Sequence, residues 1–79
     1  MANLISGAQM RAARGILRWS IAELEERSGV SSMTLKRMEK EDGVPRSRID
    51  TIQAVHDAIV GTGVVRLEGE NGIYIEYTL

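Results

Sequence analysis

Apolar positions along the chain fall into four stretches at helical spacing and then switch to alternation. Ser6 followed by Gln9 has the spacing of a capping box, and Ile5 is placed to staple onto Met10. Ala8, Ala12, Ala13, Ile16 and Leu17 recur with helical period, with Arg11, Arg14 and Arg18 on the other side. The small Ala12, Ala13 and Gly15 group predicts a helix pressed against its neighbours. Gly15, at a cost of roughly 1 kcal/mol relative to alanine, reads either as a close approach or as a tolerated interruption. Trp19 is expected to anchor the corner between the first two helices. Ser20 caps a second helix from about Ile21 to Ser28, with Glu23 completing a capping box and Ala22 and Leu24 facing inward. Gly29 ends it in the left-handed conformation, and Val30 plugs the turn. Ser31 then caps a third helix from Ser32 to about Lys40. Its inner stripe is Leu35 and Met38, and its outer face carries Ser32, Met33, Lys36, Arg37 and Lys40. Glu41 to Pro45 is a loop, and Ser47 with Asp50 caps a fourth helix to about Val60. Ile49, Ile52, Val55 and Ile59 form its core-facing row.

After Gly61-Thr62-Gly63 the period drops to two, so Val64 to Glu68 and Ile73 to Leu79 read as strands of a hairpin. A two-residue Asn71-Gly72 turn would set Leu67 opposite Glu76. A three-residue Glu70-Asn71-Gly72 loop instead pairs Leu67 with Ile75, Val65 with Tyr77 and Arg66 with Glu76, giving one apolar and one ion-paired face. A lone hairpin is marginal in water, so it must lie on the helices or on a second copy of itself. The pattern as a whole predicts a mainly α, single domain over 1–79, with a helical core over 6–60 and a β-hairpin over 64–79.

Composition removes several classes of function. Cysteine is absent, so there is no disulfide framework and no thiolate metal site, and a single His56 excludes histidine clusters and triads. Asp50, Asp57 and the glutamates form no acid–base pair, so an enzyme is not expected, nor is a cofactor or metal. Apolar runs are too short for a membrane span or a signal-peptide core, which predicts a soluble, cytoplasmic domain with no membrane partner. The formal net charge of −1 conceals an asymmetry. Residues 1–48 hold nine of the ten basic residues against six acids, a balance of +3, whereas residues 49–79 hold Arg66 against five acids, a balance of −4. Such a division is compatible with a polyanion-binding face and equally with two solvated surfaces of opposite sign.

The stretch Ser20 to Glu39 carries the most functional information: short helix, glycine turn, valine, serine cap, second helix. Two helices joined this way lock at about 90–120° and leave the polar face of the second standing proud, able to enter a major groove about 12 Å wide. In order and spacing, the chain resembles the Xre family of small Cro/repressor-type helix-turn-helix regulators. The resemblance runs through Ile5 to Ser20, Gly29-Val30-Ser31, Thr34-Leu35, Arg37-Met38-Glu39, Pro45-Arg46, Thr51-Ile52 to Ala58-Ile59, and Gly63-Val64. It implies a four-helix Cro/repressor-like fold with a C-terminal hairpin. It further implies that Ser32, Met33 and Arg37 read bases, with Ser20, Thr34, Lys36, Lys40 and Arg46 on the DNA backbone. Arg37 suits guanine O6 and N7, Ser32 can read a donor or an acceptor, and Met33 suits a thymine methyl. Three positions depart from the family pattern. Ile21 replaces a phosphate-contacting glutamine, Glu25 replaces a small alanine between the two helices, and the loop after the third helix is about two residues longer. Glu25 therefore either loosens the packing or swings outward.

Other readings of these residues stay open at this point: Met33 as a core gap-filler, Arg37 as a partner of Glu41 at i+4, and His56 as a surface or half-buried helix residue. The expected function is sequence-specific binding of double-stranded DNA by a transcriptional regulator. It would act as a homodimer joined through the apolar hairpin face of Val65, Leu67, Ile73, Ile75 and Tyr77. The alternative is a protein-interaction module, such as an antitoxin-like or adaptor protein, in which the same scaffold meets a protein partner.

Overall fold

The computed structural model describes residues 3–76, in which four helices precede a two-stranded antiparallel hairpin. The elements are α1 (Gly7–Leu17), α2 (Ile21–Ser28), α3 (Ser32–Glu39), α4 (Ile49–Val60), β1 (Val65–Glu68) and β2 (Gly72–Ile75). α2 packs on α3 and α4, α1 on α3 and the hairpin, and α4 on β1. One core results: Ile5, Met10 and Ala13 meet Leu24, Leu35 and Met38 from α2 and α3, Ile52, Val55 and Ile59 from α4, and Val65 from β1.

The serine N-caps expected for α1, α2 and α3 are formed. Ser6 and Gln9 form both halves of the capping box of α1. The hydroxyls of Ser20 and Ser31 accept from Glu23 N and Thr34 N, and Gly29 is left-handed at φ 77°. The capping box of α2 is only half made, because the Glu23 carboxylate instead accepts from Arg27 at 3.1 Å. Ala22 is exposed rather than inward, since Leu24 alone is buried on that short helix and Ile21 packs beside it. α4 begins at Ile49 with Arg48 at the N-cap and no side-chain cap. Ser47 N is taken by Pro45 O at 3.0 Å, which delays the helix, and the Asp50 carboxylate accepts from Thr51 N instead. Ile49, one turn before Ile52, therefore stands 59% exposed instead of facing the core. Trp19 is half-buried against the core, with the Arg27 guanidinium 4.6 Å from its ring centroid.

Close approach occurs at Gly7, not Gly15. Ala12 and Gly15 are exposed, and nothing lies within 4 Å of a Cβ built on Gly15. A Cβ on Gly7 would collide with Glu41 O and stand 2.7 Å from Met38 O. The backbone is that close because the first amides of α1 are used up by the α3–α4 loop: Gly7 N donates to Gly43 O at 2.9 Å and Ala8 N to Asp42 O at 3.3 Å. Those donors have no partner within their own helix.

The hairpin has the expected faces in a different register. Val65 pairs with Ile75, Arg66 with Tyr74, Leu67 with Ile73 and Glu68 with Gly72. The loop is Gly69-Glu70-Asn71, two residues of register away from the expected pairing of Leu67 with Ile75, Arg66 with Glu76 and Val65 with Tyr77. A shift of two preserves which side chains share a face. Arg66 still reaches Glu76, at 2.7 Å on the diagonal, and its guanidinium lies 4.4 Å over the Tyr74 ring. Gly69 takes the left-handed conformation at φ 58°. α1 selects this register. Gln9 Nε2 donates to Gly69 O at 2.8 Å and Gly72 O at 2.7 Å, while Ser6 Oγ donates to Glu70 O at 2.6 Å.

The hairpin therefore lies on the chain's own helices. Val65 is 2% exposed and Leu67 and Ile73 pack against the core, so Val65 cannot serve as an interface residue and the apolar face expected to meet a second copy is largely covered. Ile75, 42% exposed, is the part of it still open, and Tyr77 lies outside the described residues.

Two predictions follow from this packing. Gly7→Ala should lose about 1–3 kcal/mol of stability or more by overpacking against backbone, whereas Gly15→Ala should gain about 0.5–1 kcal/mol. Urea denaturation of both variants checks the sign and the order. Gln9→Ala should cost about 3 kcal/mol, because carbonyls of the hairpin turn and the amide of Ser6 lose their buried partner. Amide exchange should then show strand protection falling further than that of α4; equal protection in parent and variant would refute the clamp.

Candidate nucleic-acid interface

α3 is held from below and at both ends. Leu35 and Met38 are buried beneath it. At its C-terminal end the Glu39 carboxylate, 9% exposed, takes two bonds from Arg14: Nε to Oε2 at 2.7 Å and Nη2 to Oε1 at 2.8 Å. That side-chain hydrogen bond is the main cause holding the Arg14 pKa above its ordinary value. Arg14 also donates to Trp19 O at 3.1 Å, and Arg11 donates to Glu39 O and pairs with Asp42 at 2.5 Å. A cation thus lies against a carbonyl in the last turn of α3, where the helix dipole favours it.

The N-terminal end of α3 is closed by an acid. Glu25 swings outward from α2: its Oε2 accepts from Ser32 N at 3.1 Å and its Oε1 from Ser32 Oγ at 2.7 Å. Ser31 Oγ accepts from Thr34 N and donates to Thr34 Oγ1 at 3.0 Å. The helix packing stays closed around Leu24, which is fully buried.

What remains outward on α3 is Met33, Lys36 and Arg37, followed by Lys40. Met33 is 78% exposed and so is not a core gap-filler. Arg37 makes no ion pair with Glu41 or any other acid among the described residues. The same is true of Arg18, Lys36, Lys40 and Arg46, whereas Arg11, Arg14, Arg27, Arg48 and Arg66 are paired. Beside α3 runs an open groove lined by Thr34, Arg37, Arg46, Ser47, Arg48 and Thr51. Its Arg48 contacts Asp50 at 3.3 Å, with both side chains largely in solvent.

The residues expected to meet DNA are therefore unequal in availability. Met33, Arg37, Lys36, Lys40 and Arg46 face solvent. The Ser32 hydroxyl donates its hydrogen bond to Glu25, and Thr34 and Ser20 are engaged in caps. Ser47, Arg48 and Thr51 were not expected at the surface's edge; the run Pro45-Arg46-Ser47-Arg48 was their sequence signal. Arg14 and Glu39, which hold α3 in place, lie 25 residues apart and carry no local signal. His56 is half-buried on α4 beside Asp57, with Nδ1 at 3.0 Å from its carboxylate. Among the described residues no three acidic, histidine or cysteine side chains converge on a possible metal site. No helix there is long and apolar enough to cross a membrane. Compared with family models, curated proteins and solved structures, the chain matches none.

Removing the carboxylate that holds α3 should be costly. Glu39→Ala is expected to lose about 2–3 kcal/mol by leaving Arg14 without its partner in a half-buried place. Because the two groups act together, the double variant with Arg14→Ala should lose less than the sum of the single losses. A double-mutant cycle by chemical denaturation checks this; strict additivity would mean that the pair contributes nothing.

Proposed function

We propose that the protein binds double-stranded DNA as a transcriptional regulator, with α3 in the major groove and the Arg37–Arg46–Arg48 groove along the phosphate backbone. The observation that carries this reading is the distribution of unpaired cations. Four of the five basic residues with no acidic partner among the described residues, Lys36, Arg37, Lys40 and Arg46, lie on α3 or in the chain just after it. Cations kept free of internal partners on one surface are what phosphate neutralisation requires, since binding is driven by release of the counterions they displace. Met33 supplies an apolar contact and Arg37 a bidentate donor toward guanine. Ile21, half-buried, gives no side-chain contact to phosphate, so backbone affinity rests on the basic groove.

Selection of bound sequences from random duplex DNA, followed by titration across ionic strength, tests the proposal. A steep loss of affinity with salt and an enriched sequence support it, and light scattering counts the chains on each duplex. An absence of binding at low salt would overturn it and favour the protein-interaction reading of the same scaffold. Arg37→Ala should lower specific affinity by about 1–3 kcal/mol and relax preference at one base pair, while Lys40→Ala should weaken all sequences alike and flatten the salt slope. Equal losses on specific and random DNA for Arg37→Ala would remove it from base recognition.

A further inference from the structure

Glu25 and Ser32 together make a surface of unusual polarity at the N-terminal end of α3. Glu25 is exposed, yet each of its carboxylate oxygens is fixed by one bond from Ser32, at 2.7 Å from the hydroxyl and 3.1 Å from the amide. A carboxylate oxygen has two lone-pair directions, so each retains one facing away from Ser32. Ser32 Oγ, having donated its only proton, can itself only accept. A serine in this place would ordinarily read either a donor or an acceptor; bonded to Glu25 it loses that freedom. The amide of Ser32 is likewise spent on the carboxylate, so it does not remain open for a phosphate.

We propose that Glu25 and Ser32 act as one composite acceptor that selects an exocyclic amino group, of cytosine or adenine, in the major groove, and that repels phosphate from this end of α3. The inference rests on the DNA-binding reading above. In the major groove, cytosine N4 and adenine N6 are the donor groups, whereas guanine and thymine present only acceptors at the corresponding edges. A carboxylate facing guanine O6 or thymine O4 sets acceptor against acceptor. Arg37, a pure donor five residues further along the helix that carries Ser32, has the opposite preference. The two ends of the exposed face of α3 therefore discriminate by complementary chemistry. Glu25 also places a negative charge beside a surface that must approach phosphates, which lowers affinity for every sequence and leaves discrimination to the bases.

The test is a panel of duplexes carrying each base pair at each position of the selected site, measured with the parent and with Glu25→Gln. The parent should prefer an amino-bearing base at one position by about tenfold, and Glu25→Gln should reduce that preference to within about twofold, because its amide can donate as well as accept. Affinity of Glu25→Gln for random duplex should rise several-fold as one repelling charge is removed. Thermal melting confirms that the variant is folded. Should it not fold, Ser32→Ala, which leaves the charge of Glu25 in place, must lower the same preference. A parent that binds duplex with sequence preference while the folded variant keeps every preference unchanged overturns the role of Glu25 and leaves the DNA-binding reading standing. A parent that binds no duplex at low salt, or binds without preference, overturns the composite reader at its root.

Discussion

A two-stranded hairpin is marginal on its own in water, and this chain has no cysteine with which a disulfide could brace one. The solution is a buried amide. Gln9, 1% exposed, directs both protons of its Nε2 at carbonyls of the hairpin turn, while its Oε1 accepts from the Ser6 backbone. Ser6, also buried, completes the set by donating to Glu70 O and accepting from Gln9 N. Within the same turn of helix the amides of Gly7 and Ala8 bind the α3–α4 loop. One capping box thus fixes the start of α1, the register of the hairpin and the path of the loop that carries Arg46. A small domain with little area to bury gains order from such shared polar groups, because any displacement would leave several of them unpaired at once.

α3 is positioned by a similar economy. An α-helix of this length has little stability alone, and its ends expose donors and acceptors. Glu25 meets the positive end and Arg11 the negative end, each a charge of the sign that the macrodipole favours. Leu35, Met38 and the Arg14–Glu39 pair fix its height and rotation. The face opposite these contacts is thereby left with Met33, Lys36 and Arg37, none of which is needed to hold the helix. Residues that secure an element and residues that could bind a ligand are separated on its surface.

What could be read from the sequence was whatever a short window determines. The serine caps of α1, α2 and α3, the left-handed Gly29 and the Leu35–Met38 stripe depend on neighbours within about a turn, and these are present, whereas the expected Ser47 cap of α4 is not. The faces of the hairpin were legible for the same reason, since alternation fixes them. Its register was not, because any shift of two residues keeps the alternation and the choice is made by Gln9, some 60 residues away. The glycines show the same limit. Gly15 interrupts an apolar pattern and draws attention, yet stands in open space, while Gly7 sits beside a cap without any signal and is the one hemmed in by backbone. Glu25 was visible as a departure from the small residue that the resemblance called for, but its bond to Ser32 needed the turn to be built first. The unpaired state of Arg37 is likewise a property of where Glu41 points.

A net charge of −1 is no obstacle to a polyanion ligand when the charges are sorted in this way. Electrostatic attraction between exposed groups fades over about 8–10 Å in physiological salt, while the molecule extends 36 Å along its longest axis. A ligand therefore responds to the surface it approaches, not to the sum over the chain. Much of the acid is already matched: Glu68 and Glu76 share Arg66, Glu39 is closed by Arg14, and Asp42 by Arg11. Arginines that neutralise those acids are part of the scaffold. Among the described residues the cations without an acidic partner are concentrated on and just after α3, as Lys36, Arg37, Lys40 and Arg46, with exposed Glu41 between them in sequence and Glu25 bonded into the helix's first turn. A surface built of mobile cations alone would attract phosphate anywhere along a duplex. On the proposed DNA-binding reading, one fixed acceptor among them sets a condition on approach, which would turn a general attraction into one that depends on what the groove presents.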